Sequence, residues 1–140
     1  MKTTLRIGGT ANFIIAFLHI LGLFWADKMF EVTGIKPEMD RAAEMIHPLY
    51  PYFITVVVAV FFTLFGCYAF SAINQFKKLP LIKLALWIIG IIYLGRGIGG
   101  FLFMKLETIP FYLAASYSLI ALLIGACYII GAKLYSEKYN

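Results

Sequence analysis

The chain reads as an all-α integral membrane protein: an up-down-up-down four-helix bundle with a short amphipathic helix in its first extracytoplasmic loop. Three observations predict this. Of 140 residues, 62% are hydrophobic and 14% charged, whereas a soluble domain carries about 25% charge. Four apolar runs, at about 7–25, 52–70, 81–103 and 111–131, approach the roughly 20 residues a helix needs to cross a bilayer core. Lys and Arg gather at the ends of these runs, which leaves one compact transmembrane domain over 1–140 and no separate soluble module.

Span one begins behind Lys2 and Arg6, a pattern that imitates a secretion signal. Its apolar stretch from Ile7 to Ala26 is longer than a usual signal core, and cleavage after Ala26 would put bulky Phe24 at the third position back. It is therefore expected to be retained. Gly8, Asn12, Ala16, His19 and Gly22 fall within an arc of about 80° at about 100° per residue. This small and polar stripe should face the bundle interior, and Trp25 should mark an interface.

Residues 27–50 form the one long polar connection. Thr33-Gly34 reads as a turn, and Pro37 suits the first turn of a helix running to His47, ended by Pro48. Met39, Ala42, Ala43 and Ile46 give that helix one apolar side, so it is expected as a surface-lying connector or a lid over the bundle mouth. Span two carries a weaker stripe of Thr55, Ala59, Thr63 and Gly66. Span three is interrupted by Arg96 among Gly95, Gly97, Gly99 and Gly100, and a tight turn over Met104–Pro110 should follow. Span four lines up Ala114, Ser118, Ala121, Gly125 and Ala132, and a polar tail begins at Lys133. Such stripes let helix backbones approach closely.

Lys2, Arg6, Lys77, Lys78, Lys83, Lys133 and Lys138 lie at one end of the expected bundle, against Lys28, Lys36, Arg41 and Lys105 at the other. That asymmetry places both termini in the cytoplasm, with a bacterial inner membrane as the expected setting. It also accounts for the net charge of +5 without a nucleic-acid partner. Cys67 and Cys127 sit singly within apolar runs and read as packing residues, with no C-x-x-C redox pair.

Arg96 is the residue that points to function. It lies four residues past the midpoint of its span, roughly 6 Å at about 1.5 Å per residue. A charge at that depth costs at least about 2.5–3.5 kcal/mol and usually faces a partner, a cavity or a ligand. His19 and Ser118 lie at matching depth, and Tyr93 is one turn before Arg96. Together they suggest a polar layer in the outer half of the bundle. Asn12 is expected to cross-link helices, and Glu44 is the favoured internal counter-charge if the outer loop folds inward. The plainer reading is that Arg96 donates to helix carbonyls or snorkels outward. His19 and His47 stand in settings too different for a metal or haem site, so no metal is expected.

The segments LRIGGTANFIIAFLHILGLF and YLGRGIGGFLF, with the length and hydropathy, resemble the small bacterial four-span DoxX-like membrane proteins. That resemblance implies a link to quinone-associated oxidation in respiratory membranes. It supplies no catalytic residue for this chain.

The leading expectation is a non-catalytic or accessory protein whose outer-half pocket, built on Arg96 and His19, holds an amphipathic lipid or a quinone. The alternative is an oligomeric transporter or channel for a small anion or a proton-coupled substrate, with a homo-oligomer or larger membrane complex as partner. A quinone-linked oxidoreductase is the third reading.

Overall fold

In the computed structural model, residues 1–103 and 109–139 are described. Six α-helices follow in order: α1 (Lys2–Gly22), α2 (Ala26–Thr33), α3 (Lys36–Met45), α4 (Tyr50–Ala72), α5 (Ile82–Leu102) and α6 (Phe111–Tyr139). A 3-10 turn, Leu23–Trp25, joins α1 to α2, and no strand occurs among the described residues. Four stretches are long and apolar enough to cross a membrane: α1 with its continuation to Thr33, α4, α5 and α6. The expected all-α fold with four membrane-length helices is what is observed.

Glycines set the packing. Gly90, Gly97 and Gly100 of α5 meet Ile129, Leu122 and Ser118 of α6, so the two helices run antiparallel. Gly8 of α1 meets Tyr128 of α6, while Gly9 and Phe13 of α1 meet Ala69 and Gly66 of α4. The main seams are therefore α5 with α6 and α1 with α4, joined through α1 with α6, whereas α4 and α5 touch little. The start of α1 and the end of α6 lie at one end of the bundle, the terminal end. The α2–α3 segment occupies the other, the loop end. Lipid tails are as apolar as leucine, so closeness of backbones, rather than expulsion of water, holds such seams together. A Cβ on Gly97 would lie 2.6 Å from Leu122 Cγ and 3.0 Å from its backbone nitrogen. The bulky residues point outward instead: Ile7, Phe17, Phe53, Val60, Ile91 and Leu123 are all exposed. Apolar surface of that extent is what a helix bundle presents to lipid.

Three boundaries differ from those expected. α1 starts at Lys2, because Leu5 is fully buried against Gly131 and ties the first turn to α6. α6 runs through the polar tail to Tyr139. Good helix formers fill that stretch, and it is knitted by Ser136 Oγ donating to the Ala132 carbonyl at 2.9 Å and by the Tyr135–Tyr139 ring contact. The 27–50 connection contains α2 as well as α3, since Trp25 leaves helical geometry (φ −133°, ψ 44°) and the chain restarts a helix at Ala26 with Asp27 in its first turn. Residues 104–108 of the expected tight turn lie outside the described residues.

Gly95 and Gly99 have nothing within 4 Å of the place a Cβ would occupy. Gly97→Ala is accordingly expected to lower stability by about 1–3 kcal/mol through forced separation of α5 and α6, whereas Gly95→Ala leaves it unchanged or raises it. Thermal unfolding of the two variants in detergent checks this; equal behaviour would contradict the seam.

Candidate functional site

Two polar features lie inside the bundle. One, at mid-depth, joins all four long helices. Asn12 on α1 is fully buried, and its Nδ2 donates to the Gly8 carbonyl at 2.9 Å and to Tyr128 Oη at 3.1 Å. Its Oδ1 accepts from Tyr93 Oη on α5 at 2.6 Å, and Tyr128 Oη on α6 donates to the Phe65 carbonyl on α4 at 2.7 Å. The carboxamide thus uses both N–H donors and its oxygen within the protein. Tyr93 and Tyr128 also stack, with centroids 6.3 Å apart and an interplanar angle of 19°. Every N–H and O–H donor of Asn12, Tyr93 and Tyr128 is thus committed within the protein, which makes the cluster a clamp between helices.

The other feature is a cavity of about 370 Å³ at the loop end, a volume within the range of small-molecule sites. Ile15, Leu18, His19, Gly22 and Leu23 form the α1 wall, Ile54, Thr55 and Val58 the α4 wall, and Tyr117 the α6 wall. Met29, Phe30, Thr33, Ile35 and Met39 cover it. The cover is shaped by Gly34, which adopts φ +80°. Gly34 N–H donates to the Glu31 carbonyl (3.1 Å) and Ile35 N–H to the Phe30 carbonyl (3.0 Å), a Schellman ending that brings Phe30 and Ile35 together. Lys36 then pairs with Asp27 and, at 3.6 Å, with Asp40. The hydrogen bond from Lys36 to Asp27 holds the ammonium charged and raises its pKa above the ordinary lysine value. That contribution to the elbow is complete below the ordinary lysine pKa and is lost only as pH rises through the raised one. Tyr117 Oη reaches the Thr33 carbonyl at 3.4 Å, tying the cover to α6.

The cavity wall has few uncommitted polar atoms. Thr33 and Thr55 turn their hydroxyls back to the Met29 and Pro51 carbonyls, each at 2.7 Å. His19 Nδ1 lies 2.8 Å from the Ile15 carbonyl. A carbonyl can only accept, so Nδ1 carries the proton, and in the neutral ring Nε2 is an acceptor. Among the described residues nothing donates to Nε2.

Of the residues singled out from the sequence, Asn12 and Tyr93 are brought together in the clamp, and His19 lines the cavity. Ser118 is buried against Gly100 and donates to the Ala114 carbonyl at 2.8 Å. Arg96, expected to face the interior, is exposed and is not part of the cavity wall. Its Nη1 lies over Gly100, 2.6 Å from the site of a Cβ there, so the side chain runs along α5 toward the loop end. It makes no hydrogen bond or ion pair with other described residues. Glu44 is exposed on the last turn of α3, also away from the cavity wall. His47 accepts from the Leu49 N–H at 3.1 Å. Among the described residues no three His, Cys, Asp or Glu side chains gather as a metal site.

Tyr128 was not among the singled-out residues, although its signal was readable: a tyrosine mid-span, on the small-residue face of α6, must find a hydrogen-bond partner. The α3 part of the cover was readable as a lid over the bundle mouth, and Met39 lines the cavity; the part played by Met29, Phe30 and Ile35 was not, because they converge only through the fold of α2 onto α3.

Asn12→Leu strands the Tyr93 hydroxyl and is expected to cost about 1–3 kcal/mol. Because both partners belong to one cluster, Asn12→Leu combined with Tyr93→Phe should cost clearly less than the two single changes added together. A thermal double-mutant cycle in detergent tests this; additive losses would show that the clamp does not couple the helices.

Compared with known proteins, the chain matches no family model, no curated protein and no solved structure, so the DoxX-like resemblance gains no support there. The four candidate spans make the chain a small multi-pass membrane protein.

Proposed function

We propose that this membrane protein binds, without chemically transforming, an apolar or amphipathic molecule in the loop-end cavity. The observation that carries the reading is the covered apolar space with His19 in its wall. Since Nδ1 is committed to the Ile15 carbonyl, a neutral His19 offers an acceptor, and the preferred head group is a hydroxyl. A lipid alcohol fits that chemistry, and so does a quinone in its reduced, dihydroxy form. The apolar remainder would lie along Ile15, Ile54 and Val58. Arg96 acts in this reading as an anchor at the loop-end membrane boundary, supported by its exposure and its course over Gly100. The charge asymmetry between the two ends supports cytoplasmic termini in a bacterial inner membrane, and the DoxX-like resemblance agrees with a quinol or lipid.

The test uses purified protein in detergent, titrated with a long-chain alcohol and with its methyl ether. Wild type is expected to take both and to prefer the alcohol by about 2- to 10-fold, the worth of one net hydrogen bond. Val58→Trp should abolish uptake of both, and His19→Leu should remove the preference while leaving apolar binding. Failure of wild type to bind either probe, or unchanged binding by Val58→Trp, would overturn the reading.

A second reading, an oligomeric transporter or channel, is favoured by one observation. Gly95 and Gly99 form a G-x-x-x-G pair on an open face of α5, a spacing that lets another helix approach closely. If it holds, native mass measurement in mild detergent shows a homo-oligomer that Gly95→Leu/Gly99→Leu dissociates. Monomers alone would rule it out.

A further inference from the structure

A second cavity lies at the terminal end, remote from the one above. Its volume is about 390 Å³, and it is lined by Lys78, Leu79, Leu81, Ile82, Lys83, Tyr135, Ser136 and Tyr139. Three independent features bear on what it takes. First, the local charge is strongly positive: Lys2, Arg6, Lys77, Lys78, Lys83, Lys133 and Lys138 share this end, and among the described residues the one acid here is Glu137. Two of those lysines, Lys78 and Lys83, stand in the cavity wall. Second, the wall includes the first turn of α5, which has no side-chain cap because Leu81 occupies the cap position. The first amides of a helix are orphan donors carrying partial positive charge. Third, the wall has a greasy edge: Leu79, Leu81 and Ile82 line it, and Leu81 is 73% exposed at the end of an apolar span where acyl chains would lie.

The connector that builds this wall is fixed. Ser71, 1% exposed, donates to the Lys77 carbonyl and accepts from the Leu79 N–H, each at 2.9 Å. Arg6 Nε donates to Gln75 Oε1 at 3.2 Å. Lys78 is therefore held beside the start of α5 by bonds that do not use its ammonium.

The geometry points to a site for the phosphate of an anionic phospholipid. Lys78, Lys83 and the uncapped amides of α5 receive the phosphate oxygens, Tyr135 and Ser136 border the glycerol region, and the acyl chains leave past Leu81. The greasy rim favours a lipid over a free anion, since inorganic phosphate has nothing to lay against it. Arg96 and His19 play no part in this site, so its fate is independent of the loop-end cavity.

The experiment is lipid retention and exchange, read by native mass spectrometry, on the full chain in nanodiscs containing phosphatidylglycerol and phosphatidylcholine in equal amounts. Wild type is expected to retain phosphatidylglycerol preferentially. Lys78→Gln/Lys83→Gln should lose about 10- to 30-fold of that preference, from roughly one near-surface charge interaction per lysine. Lys2→Gln/Lys133→Gln removes the same charge from the same end outside the cavity and should keep most of the preference. Added inorganic phosphate should not displace the lipid. Equal losses in the two double variants would overturn the proposal in favour of diffuse attraction. Displacement by millimolar phosphate would overturn it in favour of a free-anion site, and absence of any preference in wild type would overturn it outright.

Discussion

Close backbone approach, fixed in depth and rotation by one buried carboxamide, is the constraint on which the bundle depends. In a lipid environment the apolar faces of α1, α4, α5 and α6 gain little by meeting each other rather than acyl chains. What distinguishes the right neighbour is shape, and then polarity. Gly8, Gly9, Gly66, Gly90, Gly97, Gly125 and Gly131 supply the shape, each set against a specific side chain across a seam. Asn12 supplies the polarity. Its group can be satisfied within the bundle only where Tyr93 and Tyr128 reach it together, and Tyr128 then fixes α4 through the Phe65 carbonyl. A slip of either tyrosine-bearing helix by one turn, about 5.4 Å, would leave a polar group unpaired in an apolar interior.

The clamp also explains why space is available at the loop end. Between the mid-depth cluster and the loop end, α1, α4 and α6 carry Ile15, Val58 and Tyr117 around the cavity. The chain closes that mouth with the α2–α3 elbow. The elbow is held by backbone chemistry at Gly34 and by exposed ion pairs of Lys36. Exposed pairs of this kind contribute little each. The cover is thus attached by weaker interactions than those that hold the four long helices together, an arrangement compatible with a ligand entering beneath it.

The two ends of the molecule differ in kind. At the loop end, acids and bases are interleaved along α2 and α3 with acids in excess, and the cavity beneath them is mostly apolar with a single imidazole in its wall. At the terminal end, bases outnumber acids, and the connector between α4 and α5 is pinned by Ser71 so that lysines surround an uncapped helix start.

Composition, span length and small-residue periodicity determined the fold class, the four membrane-length helices and the interior faces of α1 and α6. Those follow from the bilayer thickness and the helical repeat, and both are written into the order of residues. Asn12 as a cross-link was legible for the same reason: a carboxamide mid-span must be satisfied. Only the tertiary structure decided rotation and pairing. Arg96 lies about 60° round α5 from Tyr93, close enough to the interior face that sequence could not exclude burial. It is exposed because α5 spends its packing surface on α6 and touches α4 little. That choice of seam depends on how Gly97 and Gly100 fit Leu122 and Ser118, a complementarity between residues far apart in the chain that no local pattern encodes. The loop-end cavity has the same origin, since its cover is assembled from side chains on two short helices that meet only after Gly34 turns the backbone.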